Sequence, residues 1–334
     1  MTTAVGARPR RADRGTEPGS GRPAESQSAR RGGRLPRAGG EAAARRRDGA
    51  WPWLFVGPLM LGVGVFYLWP IIQTLYYSFT EWGVFGGTTW IGGANYARMI
   101  TDPDLLSSLG NTVLYTAIVL LGVPIAVGLA SLLNLPGLRF AAVYRVLYFL
   151  PYVAMPTAVA MVWRMIFRGD HGILNWVLGL VGIDGPYWIS TPGWAITAVA
   201  IVGLWSSLGF SMIVLAAGLK AIPDELYEAA QLDGASRWRQ FRSITVPLLA
   251  PSIVFVSIVT VIGSFQLFDL LYAIMGAQNP ALPKSMSLVY WFYQAGFVDN
   301  EKGYAAAIAM LIFVVIGVVT LIQVRLQRKW VSND

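Results

Sequence analysis

The sequence predicts an all-α membrane protein with six transmembrane helices. Three observations carry that expectation. The 334-residue chain is 55% hydrophobic but only 13% charged, about half the charged share of soluble domains. Charge is also confined: no Asp, Glu, Lys or Arg falls in 49–80, 105–138, 146–163, 185–219, 243–268 or 303–324. These intervals run from 18 to 35 residues, and crossing hydrocarbon takes ~20 apolar residues. A soluble helix keeps one wet face and has no reason to suppress charge over such lengths. Cysteine is absent and His171 is the single histidine, which excludes disulfides, thiolate metal sites and histidine clusters.

Taken in order, residues 1–50 hold 12 Arg against 5 acids. They are rich in Gly, Pro and Ala without apolar periodicity, the pattern of a disordered basic tail. Such a tail suits anionic membrane lipid better than nucleic acid, for it has no interleaved aromatics. It is no signal peptide, since fifty residues precede the first apolar run. Spans are expected near 52–76, 108–133, 146–166, 194–218, 248–270 and 304–324. Gly172 to Ile183 is apolar but too short to cross and reads as an interfacial or re-entrant helix. Lys and Arg set the orientation. With the amino terminus inside, the inner segments carry 21 of them and the outer loops 5, so both termini are expected to be cytoplasmic.

The span interiors carry no ionisable group, where proton-coupled carriers usually keep them at mid-depth. Gly276 to Ser285 (GAQNPALPKS) lacks the glycine before lysine that a phosphate-cradling loop needs, and prolines replace its N–H donors. No nucleophile–base arrangement is available. The body therefore reads as a conduit without an engine and not as an enzyme.

The one substantial inner loop, 220–250, reads as helix, glycine turn, helix. Pro223 suits a first helical turn, and Asp224 and Glu225 complement the dipole. Ile222, Leu226 and Ala229 recur on one face, and Gly234 ends the helix. Ser236 can cap a second helix bearing Trp238, Phe241 and Ile244, with Pro247 and Pro251 expected to mark its end.

The string EAAQLDGASRWRQFRSITVPLLAP, Glu228 to Pro251, resembles the EAA motif of binding-protein-dependent ABC importer permeases. Glu228-Ala229-Ala230, Asp233-Gly234-Ala235, Phe241, Ile244, Pro247 and Pro251 match it in spacing. GLKAIPDELY (218–227), GGANYARM (92–99), YRVLYFLPY (144–152) and GYAAAIAM (303–310) are similar to the carbohydrate subgroup, of the maltose-F or glycerol-phosphate-A type. The resemblance covers about 53–330 and departs at Met275 to Pro280, where the family often has Thr-x-Gly-Gly-Pro.

It implies an ABC type I importer permease fold in the cytoplasmic membrane of a prokaryote. It implies a sugar importer in which this chain forms half the path, with glycerol phosphate or another polyol as the alternative cargo. A secondary carrier is the alternative of another class. Implied partners are a sister permease, two ATPase subunits that hold ATP and Mg, an extracytoplasmic solute-binding protein, the sugar and lipid; this chain itself would bind no cofactor. Glu228, Ala229, Ala230, Asp233, Gly234 and Ala235 would couple to the ATPase. Polar residues inside spans are few; span four has Ser206, Ser207 and Ser211, and span five has Ser257, Thr260, Ser264 and Gln266. By similarity, WSSLGF (205–210) and FQLFD (265–269) would line the path, which singles out Ser206, Ser207, Phe210 and Gln266.

Overall fold

A computed structural model describes residues 51–83, 86–135 and 137–331; the basic tail lies outside them. The chain divides into two units at residue 60. The described part of the first is the opening of helix α1 (Trp51–Val63).

The second unit, from residue 61, is mostly helical. A widened turn at Gly64–Leu68 leads into α2 (Trp69–Tyr77). The segment that follows holds a hairpin of β1 (Thr80–Trp82) and β2 (Thr88–Trp90), with Glu81 opposite Thr89. Then come α3 (Ala94–Thr101), α4 (Pro103–Leu120) and α5 (Gly122–Leu133). Next are α6 (Ala141–Val153), α7 (Pro156–Ile166), α8 (Ile173–Leu180) and α9 (Trp194–Lys220). The 220–250 loop holds α10 (Asp224–Leu232) and α11 (Arg237–Gln240). The chain closes with α12 (Val246–Phe265), α13 (Asp269–Met275), α14 (Leu288–Tyr293) and α15 (Lys302–Val331).

Five stretches are long and apolar enough to cross a membrane: Leu54–Tyr77, Pro103–Leu133, Trp194–Lys220, Arg237–Phe265 and Lys302–Gln327. The expected third span, 146–166, is not one straight helix. Its two halves, α6 and α7, meet at 101°. Pro156 has no N–H to continue the ladder, and its ring drives the residue before it out of the helical region. Ala154 and Met155 accordingly sit at ψ 143° and 128°. The short apolar segment 172–183 is helical only at its centre, in α8.

α9 is the hub, packing on α4, α5, α6, α12 and α13. Membrane helices gain little from apolar transfer between themselves, so close contact through small residues decides their packing. Ala195, Ala198 and Ala200 are fully buried. Gly209 brings the α6 backbone so near that a Cβ there would sit 2.6 Å from the Tyr148 carbonyl oxygen. One core joins α4, α7, α9, α13 and α14 through Tyr115, Phe167, Ile196 and Leu271. A second, nearer the 220–250 loop, joins α5, α9 and α12 through Val123, Leu215 and Leu249.

Several of the connecting segments are tied down by polar clamps. Asp102 Oδ1 accepts the N–H groups of Asp104 and Leu105 at 2.9 and 3.2 Å, capping α4, while Oδ2 accepts from the Tyr304 hydroxyl of α15. The Arg98 guanidinium lies 4.0 Å from the centre of the Tyr304 ring and 2.8 Å from Glu301. Asn111 donates to the carbonyls of Lys284 and Met286, both at 3.0 Å. Asn175 donates to the carbonyls of Gly169, Gly185 and Pro186 and accepts from the Trp188 indole at 2.6 Å. His171 is exposed beside Asp170.

Candidate functional site

The hairpin of α10 and α11 is built by its own backbone. α10 ends at Asp233, and Gly234 takes a left-handed φ of 72°. The Gly234 N–H then reaches the Gln231 carbonyl at 3.0 Å and the Ala235 N–H reaches Ala230 at 2.9 Å. That pair of bonds satisfies the last carbonyls of a helix that would otherwise face water. Ser236 Oγ accepts the Arg239 N–H at 3.3 Å and caps the next helix. Gln240 donates back to the Ala235 carbonyl at 3.0 Å, and Tyr227 meets Thr245 at 2.9 Å. The two arms are thus held at a fixed angle by side chains as well as by the turn.

Three details differ from the sequence reading. Pro223 stands one residue outside α10 as its cap, with ψ 134°, because its own carbonyl begins the helix while its N–H is missing. The seated face of α10 runs through Ile222 and Tyr227, while Leu226 and Ala229 are exposed. Pro247 and Pro251 do not end the second helix: residues 237–265 run on as one span. A widened turn at Phe241–Thr245, in which the Val246 N–H bonds the Phe241 carbonyl, precedes Pro247. Widening the turn relieves the clash between the proline ring and the carbonyl behind it.

Of the predicted coupling residues, Glu228, Ala229, Asp233 and Gly234 are exposed, and Ala230 and Ala235 are half-buried. They lie together on the turn, beside Leu232, which is 91% exposed, and Trp238, which is 70% exposed. Leu232 and Trp238 thus bracket the two carboxylates with exposed apolar surface.

The predicted path residues separate by face. Ser206 and Phe210, four apart on α9, share a half-buried face. Phe210 stacks on Tyr152 of α6 at 5.5 Å, a residue the sequence reading passed over although it lies in YFLPY. Ser207 points elsewhere: its hydroxyl donates to the Leu204 carbonyl at 2.8 Å and borders Gly122 of α5. Gln266 is exposed where α12 stops, with Asp269 exposed at the start of α13. Of the Ser257, Thr260 and Ser264 face, Ser257 bonds the Ile253 carbonyl at 2.8 Å, and Ser264 is buried with its hydroxyl unpartnered.

Residues 109–332 match the family described as binding-protein-dependent transport system inner membrane component. The chain is 34% identical over 296 residues to the probable ABC transporter permease protein YesP of Bacillus subtilis (strain 168), covering 86% of this chain and 94% of that protein. It is 32% identical over 283 residues to the arabinooligosaccharides transport system permease protein AraP of the same organism, covering 84% and 89%. Its fold is similar to a chain of the bacterial alginate ABC transporter solved in complex with an alginate pentasaccharide-bound periplasmic protein. The TM-score is 0.73 at 20% identity, covering 84% of this chain and 94% of that one.

Proposed function

Because the chain belongs to the family of binding-protein-dependent transport system inner membrane components, we propose that it forms half of the path of an ATP-driven sugar importer and takes its energy through the 224–240 hairpin. It is a membrane-embedded transport subunit, not an enzyme. The observation that carries the coupling role is the turn at Gly234, where Glu228 and Asp233 stand exposed on a hairpin braced by Gln240 and Tyr227. Rigid, exposed and acidic, it suits a cleft offering arginines or backbone donors.

The partners follow from the same reading. A sister permease completes the path, two separate ATPase subunits hold ATP and Mg, and an extracytoplasmic binding protein delivers the cargo. Both termini face the cytoplasm, in accord with the excess of Lys and Arg on that side. Ser206, Phe210 and Gln266 face the solute, and Ser207 supports them by packing α9 against α5. Sugar as cargo rests on the likeness to AraP and on these uncharged, hydroxyl- and ring-bearing residues.

Glu228→Lys tests the coupling. Placing a cation where the partner offers donors should abolish co-purification of the ATPase while the chain still inserts. Undiminished co-purification, with uptake intact, would refute the role assigned to this hairpin.

A further inference from the structure

Beyond the path residues, we propose that Phe268, Tyr272, Tyr293 and Phe297 form an outer aromatic shelf that binds a neutral saccharide as it enters. The shelf rests on the orientation and cargo class proposed above.

Five rings from α13, α14 and the widened turn Gln294–Val298 gather in one cluster. Phe268 lies 5.6 Å from Tyr272, 5.5 Å from Tyr290 and 5.1 Å from Tyr293. Tyr293 stacks in turn on Phe297 at 5.6 Å, with 20° between the ring planes. Tyr290 is the foundation at 2% exposure, while Tyr272 is 42% and Phe297 72% exposed. Rings of an interfacial belt sit at headgroup level with their bodies in lipid. Here they stack on one another and leave an open rim.

The rim is polar. Gln266, Asp269 and Asp299 are exposed beside these segments, and Gln294 donates to Asp299 at 3.1 Å. Flat apolar faces with a few placed amides and carboxylates are the donor set of a small-molecule site. Sugar rings offer C–H faces to the aromatics and hydroxyl donors to the carboxylates. Asp269 and Asp299 repel anions, so a phosphate ester is disfavoured. The cluster's base is fixed: Ser287 donates to the Leu267 carbonyl at 2.5 Å and accepts the Tyr290 N–H at 3.1 Å.

The absence of cysteine makes the test direct. Uptake of labelled arabinotriose, and separately of maltotriose, is first measured in cells carrying the complete importer; uptake of neither would fail the sugar reading itself. The transported trisaccharide then serves as the protecting probe for Phe297→Cys against a membrane-impermeant maleimide, with Ile183→Cys in another outer loop as control. The shelf predicts labelling at both positions, slowed at 297 alone by about tenfold, equivalent to ~1.4 kcal/mol, and not slowed by glycerol 3-phosphate. No labelling at either site overturns the orientation, and labelling at 183 only places the rings in lipid. Labelling at 297 without protection, or equal protection by sugar-free binding protein, overturns the saccharide contact. Tyr272→Leu, tolerated by a lipid belt, should abolish the protection, and Tyr272→Phe should keep it.

Discussion

Gly234 is where a single residue decides the shape of the hairpin. A Cβ built there meets nothing within 4 Å, so any cost of substitution arises in the backbone. At φ 72° an ordinary L-residue loses ~1–2 kcal/mol, more if β-branched, and asparagine far less. Gly234→Val should therefore insert normally yet lose most uptake, while Gly234→Asn keeps it; equal uptake by both would show that the turn geometry is dispensable. Asp102 poses a different question. Burial pushes its carboxyl upward, but the Tyr304 hydroxyl and the N–H groups of Leu105 and Asp104 outweigh that and hold it below its ordinary value. A lowered folded value means the clamp contributes fully above the ordinary carboxylate range and fades as pH falls through the folded value. Asp102→Ala should cost about 1–2 kcal/mol at neutral pH, read from thermal unfolding of the solubilised importer. The gap from wild type should narrow below about pH 4; a gap constant with pH would remove the charge from the account.

At the scale of elements, the prolines explain both what the sequence disclosed and what it hid. The charge-free intervals coincide with the five helices long and apolar enough to cross and with the bent pair α6 and α7, because exclusion of charge from lipid acts on composition alone. They could not report the bend in the third, since an uncharged run reads alike whether straight or broken. Pro151 and Pro156 are five residues apart and look equivalent in sequence, yet Pro151 stays inside α6 and Pro156 begins α7. The hairpin's turn was legible through Gly234 and Ser236, whose roles are local. Its buried face was not, because Tyr227 rather than Leu226 packs on the core of Val123, Leu215 and Leu249 and meets Thr245 of the other arm. The outer β-hairpin and the aromatic cluster were also missed: three-residue strands leave too little alternation to read, and the rings come together only through tertiary contact. Pro156→Ala tests whether proline sets the bend. Restoring the N–H should lengthen the label-to-label distance between residues 141 and 166 toward the ~38 Å of a straight helix and depress uptake. An unchanged distance would assign the bend to packing by α13, which contacts α7.

For the whole molecule, the balance of buried and open surface argues that this chain is one part of an assembly. Between residues 61 and 77 the first span leaves Leu61, Phe66, Tyr67 and Leu68 more than half exposed, and the third leaves Val146, Leu150, Met161 and Met165 so. The fourth, by contrast, is the best covered, with Ala195 to Ala200 almost wholly buried. Lipid can cover an apolar face, but it cannot serve the exposed Gln266 and Asp269 or the half-buried Ser206, where polar groups need partners or water. A second permease facing this one would enclose them in a shared path. Expressed without that sister, the chain should insert but accumulate several-fold less, and proteolysis should cut first in the segments around the 101° bend, where the helix ladder is already open. Co-expression should restore both its level and its resistance. Equal abundance and protection with and without the sister, alongside solute movement by the chain alone, would show that one copy of this chain encloses a complete path.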